Sequence, residues 1–383
     1  MRGVVVAFLT MLLAVGAGSA FALEQSSTFA PTPTSPIYAG IPGALPPHFA
    51  YTYAGTYRGW PVNPTRSQHP VRGSFLDPRG KDDTGLSGYH FGIDISVDDA
   101  HPEKGAPPLL SHRVFVVESG TVSASANNVA RPCLDRRLEI GHFAYWHVSP
   151  TVRGGEHVRA GQQIGWSCLG VWHVHLSEWQ LYGGRRVWVN PLHRGTRLAP
   201  YDDRASPTVD ALTFNTPPRT PWLPTSSLVQ ADSSTRLPLA RLQGAVEVRA
   251  NIGDPQSFLG FLGQNPAWPT VFAPYQVSVR IEDARTGRVV LSRTSFRADQ
   301  LPQTDYIVHY APGTLEDDNM QECVGPPRKT HCVGTYWLRP LSRFREEYWN
   351  TRGTANGTYN VTVTAGDLAG NHGSKTVLVT VKN

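Results

Sequence analysis

Long helices and apolar runs of membrane length are largely missing from this sequence. We find no sustained apolar stripe with a period of 3.6 residues, and methionine occurs only 3 times in 383 residues. Beyond the N-terminus, no segment is apolar enough to cross a bilayer. Glycine (36) and proline (32) are abundant instead, which favours strands joined by turns. The sequence therefore predicts a mainly β protein, long enough for two domains.

The first 22 residues have the three parts of a secretory signal. Arg2 supplies a positive charge, and a mostly apolar stretch follows over residues 4–15. The sequence Ala-Phe-Ala at 20–22 fits the small-x-small cleavage pattern. A membrane anchor is the alternative interpretation, but the apolar stretch is short for a span. We expect the mature protein to begin near Leu23 and to act outside the cytoplasm, without stable membrane insertion.

Cysteine is scarce, and its spacing argues against a cysteine zinc cluster. The sequence has 4 cysteines and no C-x-x-C pair, which is the spacing typical of zinc sites. An even number of cysteines in an exported chain favours disulfides. Four cysteines allow three pairings. Proximity along the sequence favours the pairs Cys133–Cys168 and Cys323–Cys332.

Two stretches rich in proline, serine and threonine divide the chain. Residues 23–60 and 199–235 are predicted to be linkers. Between them, residues 61–198 show short β-like runs separated by glycine and proline, which predicts a first domain. Residues 236–383 contain runs of valine alternating with polar residues, which favours a β-sandwich. The last 25 residues or so resemble the closing hairpin of bacterial immunoglobulin-like domains, a resemblance that concerns fold and not chemistry.

The motif YHFGIDI carries the first candidate metal ligands, His90 and Asp94. Residues four apart on an extended strand point to the same face. Gly92, between them, would leave open space over such a site. The opposite face would then present apolar side chains to a core, namely Phe91, Ile93 and Ile95.

Two further motifs, VWHVHLSE and YWHVS, contribute histidines. His173 and His175 share one face of a predicted strand by the same alternation. Neighbouring buried imidazoles are costly unless a metal or a carboxylate engages them, so the H-x-H indicates a metal site. His147 in YWHVS would not stand out alone. Six other histidines have turn-like neighbours and are expected at the surface: His69, His101, His112, His157, His193 and His372.

In order and spacing, these motifs resemble the lysostaphin-like, LytM-type zinc metalloendopeptidases. The match over about residues 70–195 comprises H-x-G-x-D, Y-x-H, the turn GEHVRAGQQIG, H-x-H and a closing VNPL. The resemblance implies an antiparallel β-sheet peptidase domain of the duplicated hybrid motif type, binding one Zn²⁺ per chain. It implies His90, Asp94 and His175 as the zinc ligands and His147 and His173 as the catalytic histidines. The implied substrate is a peptide or cross-bridge of bacterial peptidoglycan.

Two features depart from the family pattern. The family's usual H-L-H-F-E appears here as H-V-H-L-S-E, so that Glu178 is displaced by one residue, and the loop after Asp94 is longer than usual. Both changes put the substrate contacts in doubt but retain the ligands. The formal charge of +5, or +4 without Arg2, would favour association with an anionic cell wall.

Three alternative functions remain on sequence grounds. The first is a catalytically inactive, peptidase-like protein that binds or regulates the cell wall. The second is a cupin-type metal enzyme, although a cupin has three or four residues between its H-x-H and its ligating glutamate, whereas only Leu176 and Ser177 separate His175 from Glu178. The third is a structural or adhesive role.

We expect no nucleic-acid partner, and no catalytic role for the second domain, so that a truncation near residue 200 keeps zinc. The oligomeric state and the bond cleaved are left open.

Overall fold

The computed structural model describes residues 40–78, 88–123, 133, 137–219, 232–260, 271–314 and 335–383. Within these ranges the regular structure consists of strands and two short 3-10 turns. None of the described segments forms a helix of the length and hydropathy needed to span a membrane. The expectation of a mainly β chain with antiparallel sheets is confirmed. The predicted signal and the pair Cys323–Cys332 lie outside the described residues.

The described residues form twenty strands in five antiparallel sheets. In chain order they are β1 (Val71–Gly73), β2 (Ile93–Ser96), β3 (Leu110–Phe115), β4 (Gly120–Thr121), β5 (Arg137–Ile140), β6 (Phe143–Trp146), β7 (Val148–Pro150), β8 (His157–Val158), β9 (Gln163–Cys168), β10 (His173–Tyr182), β11 (Arg185–Val189), β12 (Thr208–Asn215), β13 (Ala245–Pro255), β14 (Val271–Phe272), β15 (Gln276–Asp283), β16 (Val289–Arg297), β17 (Tyr336–Leu338), β18 (Trp349–Asn350), β19 (Gly357–Gly366) and β20 (His372–Val381).

A six-stranded sheet organises the first module, residues 61–198. Its order is β1-β2-β10-β6-β5, with β11 also paired to β10. Along β10, Val174 and Leu176 are fully buried in the core, whereas His173 and His175 alternate with them and face the other way. A three-stranded sheet, β3-β9-β7, contributes to the same core. Strand β10 therefore holds its two histidines on the face of the sheet opposite the packed hydrophobic core.

Two sheets make up the C-terminal module, residues 208–383. One has the order β12-β13-β14, with β17 and β18 also on β13, and the other has the order β16-β15-β19-β20. Buried residues of both sheets belong to one core. Residues 208–215, in the predicted linker, form β12 and pair with β13 along their length. They do so because Leu212 and Phe214 bury apolar side chains two residues apart, and an irregularity between Val209 and Ala211 lets Val209 be buried as well.

Residues 40–60, also in a predicted linker, are packed against both modules. The Arg297 and Gln300 amides donate to carbonyls at Pro42 and Gly43, each at 2.9 Å. Farther along, the Thr52 amide donates to Gln180 on β10 at 3.2 Å. Aromatic side chains bury large areas, and the several aromatic residues of this segment anchor it to the first module.

Candidate metal centre

Pairing of β2 with β10 places Asp94 directly opposite His175. Nδ1 of His175 lies 3.0 Å from Oδ1 of Asp94. His90 enters from the segment before β2, and its Nε2 lies 3.2 Å from the same oxygen and 2.8 Å from Nδ1 of His175. All three side chains are buried. The structure thus brings these predicted residues together as a group that could hold a metal ion.

Outer hydrogen bonds determine which nitrogen of each imidazole faces the centre. Nδ1 of His90 lies 2.9 Å from the carbonyl oxygen of Ser74, which can only accept, so Nδ1 carries the proton. Nε2 of His175 lies 2.8 Å from Oγ of Ser177. These bonds direct Nε2 of His90 and Nδ1 of His175 toward Asp94, and such partners orient ligating histidines in metal sites.

His173 and His147 lie beside the ligand group. Nδ1 of His173 donates to the carbonyl of Val171 at 2.8 Å, which directs Nε2 toward Oδ1 of Asp94, 3.5 Å away. The His147 and His173 rings are 4.7 Å apart between centroids, inclined at 74°. The structure therefore places the imidazole of His173 beside the group that could hold a metal ion, and the imidazole of His147 against that of His173.

The backbone at His147 has an unusual conformation. Its φ is +63°, in the left-handed region that non-glycine residues rarely adopt. His147 lies between β6 and β7, which belong to different sheets. Its carbonyl accepts from the Cys168 amide at 3.0 Å. Such strain persists only where the surroundings impose it and is common at functional sites.

Electrostatics favour an ionised Asp94. Burial alone would raise its pKa, but the neighbouring His90 and His173 imidazoles, with hydrogen bonds from His175 and His90, hold that pKa well below the usual range. For His173, burial dominates and lowers the pKa well below that of a free imidazole, although Asp94 acts in the opposite direction. The centre therefore combines a carboxylate with imidazoles, which suits a cation.

The alternation of side chains between the two faces of a strand, expected from His90 to Ile95, is only partly observed. The chain bends at Gly92, and β2 begins after it. Phe91 was expected to point away from the site, but its ring lies 5.3 Å from that of His175, because the bend interrupts the strand. The space over Gly92 is also closed, since a Cβ there would come within 2.6 Å of both Nε2 of His175 and the carbonyl oxygen of Leu176. Glycine is therefore needed for close approach of the two segments.

A buried cluster around Glu178 was not predicted. Glu178 lies three residues after His175 on β10 and faces the opposite side of the sheet. It accepts hydrogen bonds from Tyr53, Gln180 and His193. The expectation of a surface position is wrong for His193, and also for His69, since both are buried. No local signal identifies these contacts, because Tyr53 and Glu178 are far apart in sequence. The position of Glu178 argues against the cupin alternative.

The predicted disulfide in the first module is confirmed. Cys133 and Cys168 are bonded, with their Cα atoms 5.9 Å apart. Cys168 ends β9, and its amide donates to the carbonyl of His147. The bridge therefore lies next to one of the two histidines beside the metal-binding group.

A second group of carboxyls, Asp203, Asp254 and Asp367, also converges closely enough to hold a cation. Burial, with repulsion from Asp367 and Asp203, raises the pKa of Asp254 to about 8. These residues come from three distant segments, so no sequence pattern indicates that they meet.

Comparison with known proteins adds no family assignment. No protein-family model matches this sequence, and no curated protein matches it.

Proposed function

We propose that this chain is an exported zinc-dependent endopeptidase that hydrolyses peptide bonds of bacterial peptidoglycan. The observation that carries the proposal is the meeting of five residues from distant motifs: the ligand group His90, Asp94 and His175, and the adjacent rings of His147 and His173. The substrate class rests on the resemblance of these motifs to LytM-type enzymes.

The donor set fits zinc. Two imidazoles and one carboxylate form a ligand set found in catalytic zinc sites, which keep one position open. Tetrahedral ligands about 2.0–2.2 Å from zinc lie roughly 3.3–3.5 Å from one another. The ligand atoms here are 2.8, 3.0 and 3.2 Å apart, so small adjustments would accommodate the ion. We infer that His90, Asp94 and His175 hold one Zn²⁺.

Zinc held there supplies Lewis acidity that polarises a substrate carbonyl and acidifies water. The two remaining histidines transfer protons and stabilise charge. His173 acts through Nε2, because its Nδ1–H is committed to the carbonyl of Val171. One of His147 and His173 takes the proton of the attacking water and delivers it to the leaving amine. The other donates a hydrogen bond to the tetrahedral oxyanion.

The remaining expectations complete the proposal. The first module would be a peptidase domain of the duplicated hybrid motif type, and the C-terminal module an immunoglobulin-like sandwich. Support for the latter comes from the long hairpin of β19 and β20, paired from Gly357 opposite Val381 to Gly366 opposite His372. The enzyme would act outside the cytoplasm on the cell wall, and its mild positive charge suits an anionic surface.

The test is digestion of purified peptidoglycan by the metal-free protein with and without added zinc. We expect zinc-dependent release of new peptide termini, detected by mass spectrometry. His175→Ala should lose zinc and activity together. The matched control is His101→Ala, because His101 belongs to the same module but is exposed, with its imidazole bonded to Asp98 at the surface. Zinc binding without hydrolysis would favour the inactive regulatory alternative, and failure to bind zinc would refute the proposal.

The bond cleaved can be found with the same assay. Peptidoglycans that differ in cross-link chemistry should be digested in parallel, and the new termini sequenced by mass spectrometry. Cleavage confined to one cross-bridge type identifies the scissile bond. Cleavage of all types would place it in the shared stem peptide.

A further inference from the structure

The C-terminal module contacts the edge of the sheet that carries Asp94. Gln256, immediately after β13, forms two hydrogen bonds with Val71 on β1. Its Oε1 accepts from the Val71 amide at 2.9 Å, and its Nε2 donates to the Val71 carbonyl at 2.6 Å. Strand β1 in turn pairs with β2, where Gly73 lies opposite Asp94. Gln256 therefore occupies hydrogen-bonding groups of an edge strand next to a metal ligand.

A second contact reaches the segment that holds His90. The Tyr310 hydroxyl donates to the Leu76 carbonyl at 3.0 Å. The Leu76 amide donates to the His90 carbonyl at 2.8 Å, and the His90 amide donates to the carbonyl of Asp77 at 2.8 Å. Leu76 has a φ of +71°, so its conformation is unfavourable without such support. Tyr310 is therefore two hydrogen bonds away from the backbone of a ligand.

Aromatic packing adds to this contact. Tyr89, the residue before His90, lies against Tyr306, His309 and Tyr310 of the C-terminal module, with ring centroids 6.3–6.4 Å apart. The Tyr89 hydroxyl also donates to the Asp305 carbonyl at 3.4 Å. These side chains are buried except for Asp305. The segment leading to His90 is thus enclosed between the metal-binding group and the C-terminal module.

We infer that the C-terminal module positions His90 and Asp94 and thereby sets the metal affinity of the centre. Tyr310 and Gln256 are positioning residues, since neither touches a ligand side chain in the contacts described. The inference rests on the proposed metal function. It replaces the expectation that a truncation near residue 200 keeps zinc, because such a truncation removes both residues and uncovers Tyr89.

The physical reason is the cost of ordering the ligands. His90 lies outside the regular strands, and its backbone bonds are made to Leu76 and Asp77, which also lie outside them. Segments of this kind open more easily than paired strands. A metal ion that binds a flexible ligand must also supply the free energy that orders that ligand. A site whose ligand-bearing segment is already held in place therefore binds the metal more tightly.

The experiment uses the full chain with Tyr310→Phe and Gln256→Ala, compared with Tyr359→Phe as the matched control. Tyr359 is an equally buried tyrosine whose hydroxyl donates to the Ala355 carbonyl inside the C-terminal module at 2.7 Å. Zinc affinity is measured by competition with a chromophoric chelator, and melting temperature is measured on the same samples. We expect Tyr310→Phe and Gln256→Ala each to weaken zinc binding about threefold to tenfold, the worth of one or two hydrogen bonds. The control should lose stability but keep its affinity.

Amide hydrogen exchange of the metal-free proteins gives a second readout that needs no zinc. Exchange at Leu76 and His90 should be several times faster in Tyr310→Phe than in the parent, and unchanged in Tyr359→Phe. If Tyr310→Phe and Gln256→Ala match the control in affinity, the inference is overturned, whatever their exchange. If the parent itself binds no zinc, the proposed metal function fails, and unaltered exchange in Tyr310→Phe would additionally overturn the positioning of His90.

Discussion

Asp254 provides a test of the electrostatics in this fold. Its carboxyl is largely buried beside Asp367 and Asp203, and its pKa is raised from 3.8 to about 8, mainly by burial. Oδ1 of Asp254 has no hydrogen-bond partner among the described residues. Between about pH 4 and pH 8, the folded chain therefore holds a proton that the unfolded chain has released. The free energy of unfolding should fall as the pH rises through this window.

The size of the effect follows from the raised pKa. Each pH unit within the window changes the contribution of this group by about 1.4 kcal/mol, so raising the pH from 5 to 8 should cost about 4 kcal/mol. Asparagine has nearly the same shape and carries no charge. Asp254→Asn should therefore gain about 4 kcal/mol of stability relative to the parent between pH 5 and pH 8, and the difference should become small only near pH 4.

Urea denaturation at pH 5, 6, 7 and 8, in the presence of a chelator, measures this directly. The control is Asp210→Asn, because Asp210 is an exposed aspartate on β12. Comparison with the parent at each pH removes the contributions of all titratable groups that the two proteins share. If the parent and Asp254→Asn lose stability in parallel between pH 5 and pH 8, the folded chain already holds an ionised carboxylate, and the reasoning is refuted.

Three further predictions concern the metal centre and its surroundings. His147→Ala and His173→Ala should stay folded and keep zinc while the hydrolysis rate falls by about 10²–10⁴-fold. Rates near that of the parent would show that neither histidine is catalytic. Gly92→Ala should reduce zinc content, because its Cβ would press on His175, whereas Gly154→Ala, with open space around it, should bind zinc normally. Opening the Cys133–Cys168 bridge with paired serines should lower the free energy of unfolding by about 3–4 kcal/mol, and a change near zero in urea denaturation would contradict this.

Local periodicity was enough to predict much of the centre. His173 and His175 alternate with Val174 and Leu176 along β10, and this two-residue period fixes which side chains share a face whatever the rest of the fold does. The valine-rich runs of the C-terminal module were predicted as strands for the same reason. The meeting of His90 with His175 was inferred from the family resemblance, since spacing alone does not bring separate strands together.

Contacts between distant segments escaped prediction. The neighbours of His193 in the sequence predict a surface turn. Its burial is explained by the contact with Glu178, which the local sequence does not indicate. Strand β12 falls within a predicted linker, because the prolines on either side of it are more conspicuous in the sequence than its short apolar run. Phe91 was misplaced because strand alternation cannot anticipate the bend at Gly92. In each case the interaction that determines the structure joins residues too far apart in the sequence for a local pattern to reveal it.

The position of residues 40–60 has a consequence for the order in which the chain folds. The Leu45 amide donates to Asp299, a partner 254 positions later in the chain, at 3.1 Å. A ribosome-bound chain lacks that partner until most of the protein has emerged. The earliest described segment can therefore form this contact only after the turn that follows β16 has been made. Closure over such a separation is entropically costly and slows folding. The same segment is hydrogen-bonded to both modules, so it links them by packing in addition to the covalent connection.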